Sequence, residues 1–317
     1  MSAKKLIIDA DPGIGDAIAI ALALCDPDLE VIGLTTTGGH VSGTQAFRHI
    51  QTVLSTIDPP RWPRLGASQL PECTPPDHPG KSGLLPNGHD RLADCPKIGA
   101  ELHQPHDSAK LLVELVKQHQ HEVTLLTLGP LTNLAVASEL WPDLREHLQQ
   151  VICLAGSLGL GDATAVSEFN IFADPEAAQK VIRAQAPLTL IPLETAASLI
   201  LTFDDFDQLP IDEFSRLGRL LHQTMPYLLR ETRNQLGREE IDLREVAALA
   251  AVAHPNLFEM ESLELDIELA GELTRGMTGI DRRGVVDTEF AIDVATHVTL
   301  EGVRDYMLRL IQASSLK

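Results

Sequence analysis

Long apolar runs are missing from this chain. No stretch approaches the roughly 20 uninterrupted apolar residues that a membrane span needs. The first apolar pair, Ile7-Ile8, is cut off at once by Asp9 and does not extend into the core of a signal peptide. Cysteine is scarce: Cys25, Cys73, Cys95 and Cys153 show no C-x-x-C spacing. Cys25 and Cys153 read as small core residues, in keeping with a reduced, cytoplasmic protein. Positive charge is in deficit, with 25 Lys and Arg against 45 Asp and Glu and a formal net charge of −20. Such a chain is repelled by nucleic acid and by anionic membrane surfaces, so neither is expected as a partner. A dinucleotide-binding G-x-G-x-x-G is also absent where it would be needed. The first strand ends in D-A-D-P-G, and the glycines of Gly156-Ser157-Leu158-Gly159-Leu160-Gly161 are wrongly spaced.

What is present is enough for a large core: 317 residues, 44% of them apolar. No internal repeat and no clean linker appears, so residues 1–317 are expected to form a single domain. Strand patterns fall at residues 4–9, 29–37, 122–127, 150–155, 188–192, 263–269 and 286–294. Helical patterns run from a Ser42 cap to Ile57, from an Asp107 cap to Gln118, over 131–140, from Pro175 onward, over 211–235 with Pro226 inside, over 243–253 and over 300–313. Residues 59–105 hold no period and read as a long loop, a feature often tied to function. The alternation predicts an α/β fold: an open, mainly parallel, doubly wound sheet with helices on both faces.

The chemistry gathers at the end of the first strand, in Asp9-Ala10-Asp11-Pro12-Gly13-Ile14-Gly15-Asp16. Pro12 and Gly13 force a turn, and Asp16 stands where a helix N-cap is expected. A strand, turn and helix of this kind put the turn at the carboxyl edge of a parallel sheet, where open α/β folds bind ligands. Three carboxylates in eight residues repel one another unless a cation sits among them. Calcium, which takes roughly 6–8 oxygen ligands, suits them better than magnesium, which keeps more of its water. Caps and turn residues account for the same acids without any ion.

The pattern D-x-D-P-G-x-x-D resembles the inosine–uridine nucleoside hydrolase family, whose usual form is D-x-D-P-G-x-D-D. Further blocks follow in order. Thr127-Leu128-Gly129-Pro130-Leu131-Thr132-Asn133, Glu168-Phe169-Asn170-Ile171 with Asp174-Pro175-Glu176-Ala177-Ala178, and Gly271-Glu272-Leu273-Thr274-Arg275-Gly276-Met277-Thr278 are all similar to family segments. His78-Pro79-Gly80-Lys81-Ser82-Gly83-Leu84 looks like a shifted form of another. The resemblance implies a nucleoside hydrolase-like fold and calcium-dependent hydrolysis of the N-glycosidic bond of ribonucleosides, as in purine and pyrimidine salvage. It implies a nucleoside-like small molecule as partner and a homodimer or homotetramer as assembly. By the same resemblance, Asp11 is the general base and a metal ligand, and Asp16, the Leu128 carbonyl and Asp242 complete the cage. Asp9 orients its neighbours, and Glu168 and Asn170 bind the ribose. Read alone, Asp242 is equally well a helix cap.

The departures from the family are grouped. Gly15 replaces a carboxylate that would contact the ribose. His40 and Asp162 each stand where an Asn is usual. Ile241 stands where many members have a His proposed to act on the leaving base. His40 and Asp162 therefore join the substrate-binding set, and the imidazole of His40 is expected to fill the space left at Gly15. Ile241 cannot donate a proton, so the leaving-group acid falls among His78, His89, His222, Tyr227 and Glu240, or is not needed. Two alternatives stay open: a hydrolase of the same fold acting on a different ribosyl compound, and a catalytically weak nucleoside-binding protein. A haloacid-dehalogenase-type phosphatase also starts with a strand ending in D-x-D, but Pro-Gly does not normally follow its second Asp, and the later blocks do not fit.

Overall fold

The strand that carries the acidic turn, Lys4–Ala10 (β1), lies inside the sheet with parallel neighbours on both sides. The computed structural model of the chain describes residues 3–71, 73, 92, 105–184, 187–281 and 291–314. The other strands are Leu29–Thr36 (β2), Arg64–Ala67 (β3), His106–Asp107 (β4), Val123–Thr127 (β5), Gln150–Leu154 (β6), Leu188–Ile191 (β7), Ile200–Thr202 (β8), Glu240–Asp242 (β9), Phe258–Ile267 (β10), Thr278–Ile280 (β11) and Ala291–Val298 (β12). Among the described residues, ten of these form one sheet in the order β11-β10-β12-β7-β6-β5-β1-β2-β3-β4, and β8 pairs with β9 in a separate antiparallel ribbon. Every pairing in the large sheet is parallel except β10 with β11 and β10 with β12. The mainly parallel, doubly wound α/β architecture is therefore present.

The helices are Ile14–Cys25 (α1), Gly43–Ile57 (α2), Ser108–Gln118 (α3), Thr132–Leu140 (α4), Phe169–Ala173 (α5), Pro175–Arg183 (α6), Leu193–Ala196 (α7), Phe203–Gln208 (α8), Arg216–Leu236 (α9), Arg244–Ala253 (α10) and Leu300–Ser314 (α11). Successive residues of a strand face opposite sides of the sheet, and β1 divides accordingly. Leu6 and Ile8 join a core built with α1, α2, α9, α10 and α11, while Ile7 joins a second core built with α3, α4 and α6. Helix α1 is apolar almost all round, with Ile14 and every residue from Asp16 to Ala23 buried. This is the composition expected of a helix wedged between sheet and outer helices. The predicted caps appear where the chemistry requires them. Ser42 Oγ accepts from Gln45 N, and Asp107 Oδ1 accepts from Lys110 N. Pro175 opens α6 at a position where its missing N–H costs nothing.

Several boundaries differ from expectation. Gly13 caps α1, and Asp16 is the third residue of the helix, its Oδ2 accepting from Gly13 N at 2.9 Å. The stretch 59–105 is not all loop, since β3 is a short parallel strand within it. Helix α9 begins only after Ser215, whose Oγ accepts from Gly218 N, and stays helical through Pro226. The strand expected at 263–269 starts earlier, at Phe258. The one expected at 286–294 is described only as Ala291–Val298, and residues 286–290, like His78–Leu84 and His89, lie outside the described residues. Asp242 ends β9, with Leu243 capping α10 in its place. Among the described residues, no helix is long and apolar enough to cross a membrane.

The connection order positions the site. From β1 the chain builds outward through β2, β3 and β4, then returns to the other side of β1 as β5 and continues to β6 and β7. Loops leaving β1 and β5 therefore diverge, and they open a crevice beyond the carboxyl ends of these strands, the usual ligand position in such sheets.

Candidate active site

Asp9 is the foundation of this crevice. It is wholly buried at the end of β1. Its Oδ1 accepts from Thr35 Oγ1 on β2 at 2.6 Å and from Asn133 Nδ2 on α4 at 2.8 Å. Asn133 Nδ2 also donates to the Thr36 carbonyl at 2.8 Å, so one amide ties β1, β2 and α4 together. Burial pushes the Asp9 carboxyl up to about 7, and its Oδ2 has no hydrogen-bond partner among the described residues.

Asp11 stands two residues on, with its Oδ2 accepting from the His40 backbone N–H at 2.6 Å and lying 3.1 Å from His40 Nδ1. Its Oδ1 packs against β5's outgoing loop: a Cβ on Gly129 would come within 2.6 Å of it, so that position needs glycine for the close approach. The His40 ring stacks flat on Phe169, with centroids 3.4 Å apart and planes 16° apart. Asp16 is buried, and its Oδ1 has no hydrogen-bond partner among the described residues. Desolvation and the negative charges of Glu245 and Asp11 raise its carboxyl well above the usual range.

From the β5 and β6 side come Leu128, Glu168 and Asn170. Glu168 caps α5, accepting from Gly156 N at 2.9 Å, Asn170 N at 2.9 Å and Ile171 N at 3.2 Å. Burial, then the neighbouring Asp162, push it up to about 8. Asn170 Nδ2 donates to the carbonyls of Leu128 and Leu154, both at 2.8 Å. These two side chains thus clamp the ends of β5 and β6 together as well as facing the crevice.

The opposite wall comes from the small ribbon and α10. Both oxygens of Asp242 are taken by Arg244, Oδ1 by Nε at 2.6 Å and Oδ2 by Nη2 at 3.0 Å. Arg244 Nη1 reaches Asp162 Oδ2 at 2.6 Å, and Asp162 Oδ1 accepts from Phe169 N at 2.9 Å. Burial opposes the charge on Arg244, but Asp242, Asp162 and Glu245 outweigh it, so the guanidinium stays protonated. Next to it, Glu245 points at Gly15. Desolvation pushes Glu245 up to about 7, partly opposed by Arg244 and reinforced by Asp242 and Asp11.

The eight residues expected to act as base, bind substrate or hold the metal, Asp11, Asp16, His40, Leu128, Asp162, Glu168, Asn170 and Asp242, line one cavity of about 600 Å³. The substituted positions Gly15 and Ile241 line it too, as do Tyr227 and Glu240 from the candidate proton donors. His222 packs edge-on against Phe206 elsewhere, at 5.7 Å between centroids. One expectation is overturned: His40 does not fill the space at Gly15. Glu245 does, and His40 is held against Phe169 and Asp11 instead. Arg244 and Glu245 are the residues that sequence reasoning missed. The available signal was a pair of opposite charges opening an otherwise apolar helix directly after Asp242.

The acid set has the chemistry of a hard-cation site. Asp11, Asp16, Asp162, Glu168, Asp242 and Glu245 line the same cavity, Asp16 keeps a buried oxygen unpartnered, and Arg244 is the cation bound among them. Even so, among the described residues no three His, Cys, Asp or Glu side chains converge closely enough to hold a metal ion as they stand.

Comparison with known proteins places this geometry in context. The profile of the inosine-uridine preferring nucleoside hydrolase family matches residues 6–305. The non-specific ribonucleoside hydrolase RihC of Escherichia fergusonii is 30% identical over 314 residues, covering 98% of this chain and 99% of that one. A plant nucleoside hydrolase superposes with a TM-score of 0.84 at 26% identity over 97% of this chain and 98% of its own. A purine-preferring ribonucleoside hydrolase from Gardnerella vaginalis shares the fold, with a TM-score of 0.85 at 24% identity over 99% of this chain and 100% of its own.

Proposed function

Because this chain belongs to the inosine–uridine preferring nucleoside hydrolase family, with a match from residue 6 to residue 305, we propose that it hydrolyses the N-glycosidic bond of ribonucleosides to ribose and free base. The observation that carries this reading is the convergence of Asp11, Leu128, Glu168, Asn170 and Asp242, from widely separated segments, on one cavity at the carboxyl edge of the sheet.

We infer a divalent cation, calcium by preference, as cofactor. The unpartnered Asp16 oxygen and the crowding of like charges support it. Asp11, Asp16, the Leu128 carbonyl and Asp242 are the groups that would hold it, and Asp242 joins them only by releasing Arg244. When bound, such an ion lowers the pKa of water and grips sugar hydroxyls. Asp11 is the base that receives the proton of the attacking water, and the His40 backbone N–H fixes the orientation of its Oδ2. Glu168 and Asn170, clamped to the strand ends, present a rigid surface to the ribose, so little order is lost on binding. Ile241 is apolar, and of the proton donors expected from the sequence, Tyr227 and Glu240 are the ones that line this wall. The cluster of departures at Gly15, His40, Asp162 and Ile241 around the same cavity supports a second reading, in which the preferred substrate is a different ribosyl compound.

A panel of ribonucleosides, with free ribose as the readout and calcium or chelator added, tests the reading. Turnover of at least one ribonucleoside is expected, with Asp11→Ala lowering it by about 10²–10⁴-fold, the worth of general base catalysis, while the circular dichroism spectrum is unchanged. No release of ribose from any of them would refute it. By the same family likeness we infer a single-domain cytoplasmic enzyme that forms a homodimer or homotetramer, which light scattering on the eluting protein measures directly.

A further inference from the structure

The space above Gly15 is not vacant. A Cβ built on Gly15 would lie 2.1 Å from Glu245 Oε2, 2.5 Å from its Cδ and 2.8 Å from its Oε1. A side chain at position 15 and the Glu245 carboxylate therefore exclude one another as the chain is folded. The two come from distant segments, the turn between β1 and α1 and the first turn of α10, and these helices pack against each other. Glu245 is inside the cavity, beside Asp11, Asp16 and Asp242, and its carboxylate receives no hydrogen bond from another residue among those described. The nearest cation, Arg244, is committed to Asp242 and Asp162. A desolvated carboxylate among like charges is costly to keep unless it has a task, and here it has open acceptor sites facing a ligand cavity.

We propose that Glu245 is a sugar-binding residue of this cavity, delivered from α10 into the volume that the first acidic motif leaves free at Gly15, where it accepts hydrogen bonds from ribosyl hydroxyls and sets the preference for ribose over deoxyribose. The proposal rests on the nucleoside-hydrolase reading. Chemically it needs only that a carboxylate accepts from two neighbouring hydroxyls, and that removing such a partner leaves a buried polar group unsatisfied, which is the strongest source of discrimination against an analogue lacking the hydroxyl.

Four proteins decide it: wild type, Glu245→Ala, Glu245→Gln and the relocation variant Gly15→Asp with Glu245→Ala. Each is assayed for kcat/KM on ribonucleosides and their 2′- and 3′-deoxy counterparts, and for binding of inosine and of calcium by calorimetry. Glu245→Ala is expected to lose about 10–100-fold on the ribonucleoside, the worth of one hydrogen bond to a charged group, and much less on the deoxy counterpart lacking the hydroxyl it contacts. Glu245→Gln is expected to fall between, and the relocation variant to regain at least about tenfold, in line with the same hydrogen bond. Calcium affinity is expected to fall to the same extent in Glu245→Ala and Glu245→Gln, since both remove the same charge from beside Asp16 and Asp11, and kcat/KM is therefore compared at saturating calcium. Equal losses on ribo- and deoxynucleosides at saturating calcium, or wild-type discrimination in Glu245→Ala, would each overturn the proposal. So would a natively folded relocation variant without recovery. If the wild type cleaves no nucleoside, the functional reading fails on its own. Inosine binding then still judges Glu245: weaker binding by Glu245→Ala supports it, and unchanged binding overturns it.

Discussion

Replacing Arg244 with methionine removes the guanidinium that bridges Asp242 and Asp162 on this cavity wall while keeping the length of the side chain. Three charge-assisted hydrogen bonds disappear, at 2.6 and 3.0 Å to Asp242 and 2.6 Å to Asp162. Breaking a fully buried ion pair costs about 3–5 kcal/mol. Here the side chains of Arg244, Asp162 and Asp242 are 24%, 22% and 33% exposed, so solvent screens part of that, and about 2–4 kcal/mol is expected. Unfolding entropy near 2.1 cal/mol/K per residue converts this into a fall in Tm of about 3–6 °C for a chain of 317 residues. The loss is specific to chelated protein. Asp242 set free becomes available to a divalent ion, so calcium binds the variant more tightly than the wild type and stabilises it by more, as RT ln(1 + [Ca]/Kd). Thermal unfolding followed by intrinsic fluorescence, with chelator and then across a calcium titration, reads both effects. An Arg244→Met protein with unaltered Tm in chelator, or with weaker calcium binding than the wild type, would refute the idea that Arg244 and a cation compete for Asp242.

Asn133→Ala removes the amide that ties α4 to β1 and β2 and leaves Asp9 Oδ1 with only the hydrogen bond from Thr35. It is expected to cost about 2–4 kcal/mol by denaturant titration, from two buried hydrogen bonds, with KM little changed. Stability of the chelated protein should fall as pH rises from about 4.5 to about 8. Over that window folded Glu168 keeps a proton that the unfolded chain has lost, and Glu168→Gln should flatten this part of the profile measured by thermal melts. Phe169→Ala removes the face on which the His40 ring rests. It should lower kcat by misplacing the loop whose backbone orients Asp11, and the kcat change should exceed the change in calcium affinity measured by calorimetry.

How much of this was legible in the sequence depended on whether the signal was local. The run from Lys4 to Asp16 announces a buried strand, a turn and a helix in order, because apolar continuity, Pro12-Gly13 and the alanine-rich stretch are all contiguous. The caps at Ser42 and Asp107 were readable for the same reason. The three-residue pairing of Ile200–Thr202 with Glu240–Asp242 was not, since neither strand is long enough to show a period and their partnership is tertiary. Asp16 was placed one role away from its true one, since a cap and a third helical residue differ by local backbone geometry that composition does not report. Glu245 was invisible for a different reason. Its meaning lies in its distance from Gly15, and only the packing of α10 on α1 creates that distance.

The ribbon of β8 and β9 has a consequence for how this pocket is built. One side of the pocket hangs from a ten-stranded slab, where Asp9, Asn133 and the Leu128 carbonyl are pinned by neighbours on several strands. The facing side hangs from two strands of three residues each, joined to the slab through helices, and a lone pair of strands that short has little stability of its own. Ile241 arrives from that ribbon, while Arg244 and Glu245 come from the first turn of α10, a helix buried in the core against α1 and the sheet. The pocket thus joins a wall fixed by the ten-stranded sheet to an edge carried by a minimal ribbon, so the residues of that ribbon can change without disturbing the acids at the end of β1.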